Sequence, residues 1–196
     1  MLRNPIHLRL ERLQTWHHLT FMVSLCERMY PNYQIFCQKT KFGDPVIYRR
    51  ILDLVWHVLL MKNIKINFDT QLEKLENYIP SSEGYDLYAV YPAIDACIAL
   101  GELIHSLLSG QTLEFCIAIS QTSIRTVAML EMTKMGREMT RDELKVLPAI
   151  VAEWDVQWEI FRLLAGCGNH DLNLIKGLRY DLREAAISNI GVYLAT

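Results

Sequence analysis

Three ionisable residues, Asp95, Glu102 and His105, interrupt the apolar stretch from Tyr91 to Gly110. At about 100° per residue, a helix puts Asp95, Glu102 and Ser106 almost in line, with Ala99 between them and His105 at the edge. Charges inside an apolar helix need partners or a purpose. Glu102-x-x-His105 is the i, i+3 pairing by which di-iron carboxylate bundles hold metal. Those sites take a second Glu-x-x-His and further carboxylates, and this chain has no second copy of the motif. Asp95 is also remote from the pair, because the intervening residues rise roughly 10.5 Å. The structural reading competes with the catalytic one. It is a polar stripe, part-exposed or answered by arginines of a neighbouring helix, with Asp95 near the positive end of the helix dipole.

Other constellations carry weaker chemistry. Arg49, Asp53 and His57 repeat every four residues, and Asp53-x-x-x-His57 lets two side chains share a ligand. An Arg49–Asp53 intrahelical ion pair on a solvated stripe is the expected arrangement. Cys167-Gly-Asn-His170 sets a thiol near an imidazole, but its glycines are explained as helix terminators. In Glu153-Trp-Asp-Val-Gln-Trp-Glu159, the spacing makes Trp154, Trp158, Phe161 and Ala165 a core stripe flanked by Glu153 and Gln157. Asp155, Glu159 and Arg162 then form a charged row pointing into water. His17 and His18 fall in a first helical turn, where polar residues are unremarkable. No Gly-rich phosphate loop, nucleophile elbow or zinc spacing is present.

The elements that position these residues read as helices. Asn4-Pro5 suits a cap followed by a first turn. Thr15 is expected to cap a helix that Pro31 stops or kinks, with a shorter helix through Tyr33 and Cys37. Gly43-Asp44-Pro45 is a stop, a cap and a start, opening a helix to about Lys62. Thr70-Gln-Leu-Glu73 and Thr140-Arg-Asp-Glu143 are capping boxes, the first leading a helix to about Tyr78. Thr112 is expected to cap a helix ending at Gly136, Pro148 to open another ended by Gly166-Cys167-Gly168, and Asn169 to cap the last, to about Ile187. Ile64–Phe68 alternates like a strand but has no partner strand. The expectation is an all-α, single-domain bundle (1–196) of roughly eight helices, with the 91–110 segment central.

Composition agrees with a packed chain: 196 residues, 51% apolar, 21% charged. Lys+Arg (20) and Asp+Glu (22) are interspersed, giving a net charge of −2. Arg49-Arg50 and the Lys176, Arg179, Arg183 row are read as solvated helix faces, so nucleic acid is not an expected partner. The five cysteines lack a C-x-x-C pair, and four sit in apolar helical patterns as small hydrophobes. With charge in every turn of the first residues and no apolar run near ~18 residues, a cytoplasmic protein with no membrane association is expected.

The chain resembles the YjaG-like family of bacterial proteins, catalogued as a domain of unknown function. The resemblance spans residues 2 to about 191. It rests on Asn-Pro-Ile-His-Leu-Arg-Leu-Glu-Arg-Leu (4–13), Cys-Glu-Arg-Met-Tyr-Pro-Asn-Tyr (26–33), Tyr-Arg-Arg-Ile-Leu-Asp-Leu (48–54) and Tyr-Pro-Ala-Ile-Asp-Ala-Cys (91–97). It continues in Thr-Val-Ala-Met-Leu-Glu-Met-Thr (126–133), Glu-Trp-Asp-Val-Gln-Trp-Glu-Ile-Phe-Arg (153–162) and Ser-Asn-Ile-Gly (188–191). It implies a bacterial, cytoplasmic, helical protein and supplies no activity, cofactor or catalytic residue. The expected function is non-enzymatic, through binding a protein partner or a second copy of the chain, with no cofactor or metal. The alternative is a metal-dependent or acid/base enzyme centred on Glu102 and His105, joined by Asp53, His57 or Glu159.

Overall fold

Thr15–Thr40 (α2) forms the axis of the fold, a 26-residue helix buried on nearly every side. A helix buried all round must find partners for its polar side chains inside the core. The hydroxyls that α2 buries are satisfied within it: Thr20 Oγ1 donates to the Trp16 carbonyl (2.7 Å) and Ser24 Oγ to that of Thr20 (2.7 Å). The computed structural model describes residues 4–61 and 64–194.

Pro31 neither stops nor divides α2, contrary to the sequence expectation. It withholds the N–H that would reach the Glu27 carbonyl. The carbonyls on either side, Cys26 and Arg28, accept from outside the helix. Tyr48 Oη donates to the first (3.5 Å) and the Asn189 N–H to the second (3.2 Å).

Around α2 lie α1 (His7–Leu10), α3 (Pro45–Leu60), α4 (Phe68–Glu76), α5 (Val90–Ser109), α6 (Leu113–Met135), α7 (Arg141–Lys145), α8 (Pro148–Ala165) and α9 (Leu172–Ala185). The chain is all-α: these nine helices and no strand occur among the described residues, and an isolated bridge joins Ile187 to Tyr193. Residues 64–67 are irregular, and Phe68 already belongs to α4. α2 packs on α3, α5, α6, α8 and α9, so the hub is α2 rather than the 91–110 helix, while α5 is its broadest neighbour. By length and composition alone, α5 and α6 are each long and apolar enough to cross a bilayer, although scattered polar residues interrupt both; half of each apolar stretch is buried in this fold.

The caps show where local chemistry decides. Asp44 accepts from the Val46 N–H (2.9 Å) ahead of Pro45, and Thr140 and Glu143 form their capping box. Gly110 and Gly136 end α5 and α6 in the left-handed region. Elsewhere the cap shifts: Gln14 replaces Thr15, Asn67 replaces Thr70, and Asp171 replaces Asn169. Ile6 precedes α1, with Asn4 Oδ1 accepting from its N–H (3.1 Å). The expected end of α3 near Lys62 lies outside the described residues; the helix stops at Leu60.

Among the described residues two apolar clusters result. The larger surrounds α2. The smaller joins Ile124, Val127 and Ala128 of α6 to Leu144 of α7 and Ile150 of α8.

Candidate functional site

The three residues of the α5 stripe do not converge. Asp95 is half-buried and accepts from Arg125 Nη2 (2.6 Å) and Thr126 Oγ1 (2.8 Å) on α6. Glu102 is half-buried, and His105 is exposed with its ring stacked 6.4 Å from that of Phe115. Ser106 turns inward and donates to the Leu103 carbonyl (2.7 Å). Asp53, a possible third ligand, is held by arginines, while His57 and Glu159 are exposed. Among the described residues, no group of three or more His, Cys, Asp or Glu side chains is placed to hold a metal ion.

The charged centre lies instead on α2. Glu27 is only 4% exposed, yet both its oxygens are bound. Oε1 accepts from Trp56 Nε1 (2.8 Å) and from Arg183 Nε (3.1 Å) and Nη2 (2.8 Å), and Oε2 accepts from Arg49 Nη1. Arg183 also donates to Asp53 Oδ1 (2.6 Å), as does Arg179 (2.8 Å). The expected Arg49–Asp53 pair is therefore not made. Each residue reaches a different helix, because α2 and α9 flank α3 and offer partners already stripped of water. The Arg179, Arg183 row is likewise no solvated face, although Arg50 and Lys176 are exposed. Burial raises the Asp53 carboxyl, but the Arg183 and Arg179 guanidiniums outweigh it and hold the group below its ordinary range. The Arg49 guanidinium lies 4.0 Å above the Tyr30 ring, which fixes its orientation.

A second polar network crosses the core. Glu153, 1% exposed, accepts from Arg28 Nη1 (2.6 Å), Ser123 Oγ (2.8 Å) and Gln157 Nε2 (2.9 Å). Gln157 Oε1 accepts from Ser120 Oγ (2.6 Å) and Asn4 Nδ2 (3.3 Å), and His7 Nε2 lies 2.9 Å from the same Ser120 hydroxyl. Asn189 closes the network, donating to Ser123 Oγ (3.0 Å) and accepting from Asn32 Nδ2 (2.9 Å). This corrects the reading of α8: its buried face is Ile150, Glu153, Gln157, Ile160 and Leu164, while Trp154, Trp158 and Phe161 are half-buried and Ala165 is exposed. Asp155, Glu159 and Arg162 do face water.

His17 and His18 are structural bolts. His17 Nδ1 accepts from the Gln14 N–H (3.0 Å), so Nε2 carries the proton and donates to the Cys167 carbonyl (2.9 Å). His18 joins Thr112 Oγ1 (2.8 Å) to the Leu10 carbonyl (2.8 Å), and burial lowers its pKa. Cys167 and His170 form no dyad: the thiol points to Asp171 Oδ2 (3.9 Å) and the imidazole stacks on Trp16. Cys26, Cys37, Cys97 and Cys116 are buried, with thiols pushed up by desolvation and inert as nucleophiles.

On the opposite flank of α6 an apolar groove of about 300 Å³ opens over the smaller cluster. Ile124, Ala128 and Leu144 form its floor, and Met129, Met132 and Met139 its walls. Its charged lining residues are Arg125 and Arg141.

The model of the family described as "Protein of unknown function (DUF416)" matches residues 5–193. The chain is 68% identical to the uncharacterized protein YjaG of Salmonella typhimurium and 67% identical to that of Escherichia coli, covering 98% of each chain. An uncharacterized protein of Haemophilus influenzae is 47% identical over 97% of this chain and 98% of its own. The crystal structure of a DUF416 family protein from Shewanella baltica superposes with a TM-score of 0.92 at 30% identity, covering 98% of this chain and 100% of that one.

Proposed function

The chain belongs to the DUF416 family, and from that premise we propose that it is a non-enzymatic binding protein whose methionine-lined groove receives an acidic amphipathic helix of another protein. The observation that carries this reading is the groove's chemistry. Methionine walls are flexible and polarizable and adapt to different apolar side chains. Met and Arg are enriched at protein interfaces. An apolar trough rimmed by Arg141, and by Arg125 with its Asp95 partner, suits a helix whose i, i+3, i+4 face is apolar and whose flanks are carboxylates. Met129 is 47% exposed and Val146, just beyond α7, is 75% exposed, so apolar surface continues past the groove. We further propose a cytoplasmic setting, supported by five cysteines that are all free.

Labelling the methionine methyls with carbon-13 and titrating a synthetic helix of leucine and glutamate tests the reading. Resonances of Met129, Met132 and Met139 should move while buried Met22 and Met29 stay fixed, and a leucine–lysine helix should have no effect. Equal response to both peptides, or to neither, refutes it. Shifts that depend on protein concentration alone would assign the groove to a second copy of the chain.

A further inference from the structure

A second cavity, of about 210 Å³, opens directly over the Glu27 cluster, far in character from the methionine groove. Its polar side is Glu27, Arg49, Arg183 and Tyr30. Its apolar side is Pro31, Leu182, Ile187 and Leu194. The chain builds the apolar wall with a C-terminal hook. Ala186 ends α9 at φ +46°, a conformation that an L residue adopts at a cost, and reverses the chain. Ser188 then locks the hook: its N–H donates to the Val192 carbonyl (2.8 Å), and its hydroxyl accepts from the Ile190 (3.2 Å) and Val192 (3.0 Å) N–H groups. The Leu194 N–H returns to the Ala186 carbonyl (3.1 Å).

We propose that this cavity is a binding site for a small aliphatic monocarboxylate, held by Arg49 and Arg183 with its tail against the C-terminal hook. Three guanidiniums meet two carboxylates in this cluster, which leaves one positive charge in excess beside an apolar wall. A guanidinium carries five N–H donors. Arg49 donates to Glu27, lies over the Tyr30 ring and lines the cavity. A monoanion neutralises the excess charge, whereas a phosphate dianion would leave the cluster negative. A planar carboxylate also matches the fork of an arginine. The volume admits a short aliphatic chain.

Hexanoate is the probe, and the indole N–H resonances of the nitrogen-15-labelled full chain are the readout. Glu27 accepts from both arginines and from Trp56, so a carboxylate drawn onto the arginines must perturb the Trp56 indole. Hexanoate should shift the Trp56 signal saturably and leave those of Trp16, Trp154 and Trp158 unmoved, and neither hexylamine nor inorganic phosphate should reproduce the shift. Arg49→Lys keeps the charge on Glu27 but loses the fork, and should weaken hexanoate roughly tenfold. Ile187→Trp leaves every charge in place and should abolish binding by filling the cavity, which decides the matter if Arg49→Lys does not fold. An unmoved Trp56 signal overturns the proposal, as do tighter binding of phosphate than of hexanoate and wild-type affinity in Ile187→Trp.

Discussion

Buried carboxylates dominate at the scale of single residues. Glu27 is enclosed with every acceptor bound, so its loss strands Arg49, Arg183 and the Trp56 N–H together. Removing one partner of such a group costs several kcal/mol, because the charges left behind stay partly desolvated. Glu27→Gln should therefore lower unfolding free energy by about 3 kcal/mol in urea titrations. Asp95→Asn should cost less than about 1 kcal/mol, since its partner Arg125 is 45% exposed and screened by water. The contrast matters because Asp95 attracts notice in the sequence and Glu27 does not. His18 sets the pH response. Burial depresses its folded pKa, so the fold holds it neutral while the unfolded chain protonates it near its ordinary value of about 6.5. A depressed folded pKa means the contribution is complete above the unfolded value and is lost as pH falls toward the folded one. Unfolding free energy should thus decline as pH drops below about 6.5, and the His18 ring protons, followed by NMR, should still report neutral imidazole there.

At the scale of elements, the α2–α3 connection contains two left-handed residues with opposite logic. Lys41, at φ +62°, closes α2 where glycine would be unstrained. Gly43, at φ +83°, sits where an added Cβ would come 2.6 Å from Tyr33 Oη and 2.9 Å from Cys37 Sγ. Lys41→Gly should raise stability by about 0.5–1 kcal/mol, and Gly43→Ala should lower it by about 2–4 kcal/mol, both read from thermal unfolding. Gly43 was legible in the sequence as part of a stop–cap–start signal because such punctuation depends only on adjacent residues. The same holds for Asp44, for Thr140 with Glu143, and for Gly136 after α6. Pro31 is not legible in the same way, because the groups that accommodate it are Asn189 and Tyr48, distant in sequence. The candidate site suffered the same way. Periodicity on α8 favours whichever face carries the larger apolar side chains, so the indoles displaced Glu153 and Gln157 from the expected core. The donors brought by α2, α6 and Asn4 make that polar face worth burying. A carboxylate set among apolar residues on every helical face, as Glu27 is beside Leu25, Cys26 and Met29 in α2, is the available signal for the Arg cluster.

At the scale of the molecule, the described residues pack into two apolar clusters of unequal size, and this division bears on binding. The larger is organised around α2, which packs on α3, α5, α6, α8 and α9, so its opening requires general unfolding. The smaller depends on α7, a five-residue helix whose substantial packing is on α8 and whose one buried side chain is Leu144. So short a helix is not stable in isolation. Its capping box, with Glu143 N–H donating to Thr140 Oγ1 (3.3 Å) and the Thr140 N–H to Glu143 Oε2 (2.8 Å), holds it at the surface. Local opening of α7 should therefore cost a fraction of the global free energy. Leu144 forms part of the groove floor, so each opening dismantles the groove, and a helix bound there must suppress it by mass action. Hydrogen exchange resolved by mass spectrometry should show residues 137–147 exchanging orders of magnitude faster than residues 19–30 of α2. Saturating leucine–glutamate helix should slow the first segment and leave the second unchanged. Thr140→Ala, which removes the cap at a cost of about 1 kcal/mol, should quicken exchange across α7 alone and weaken the peptide by up to roughly the corresponding fivefold. Equal protection of the two segments would mean that α7 is no separate unit, and that groove and core open as one.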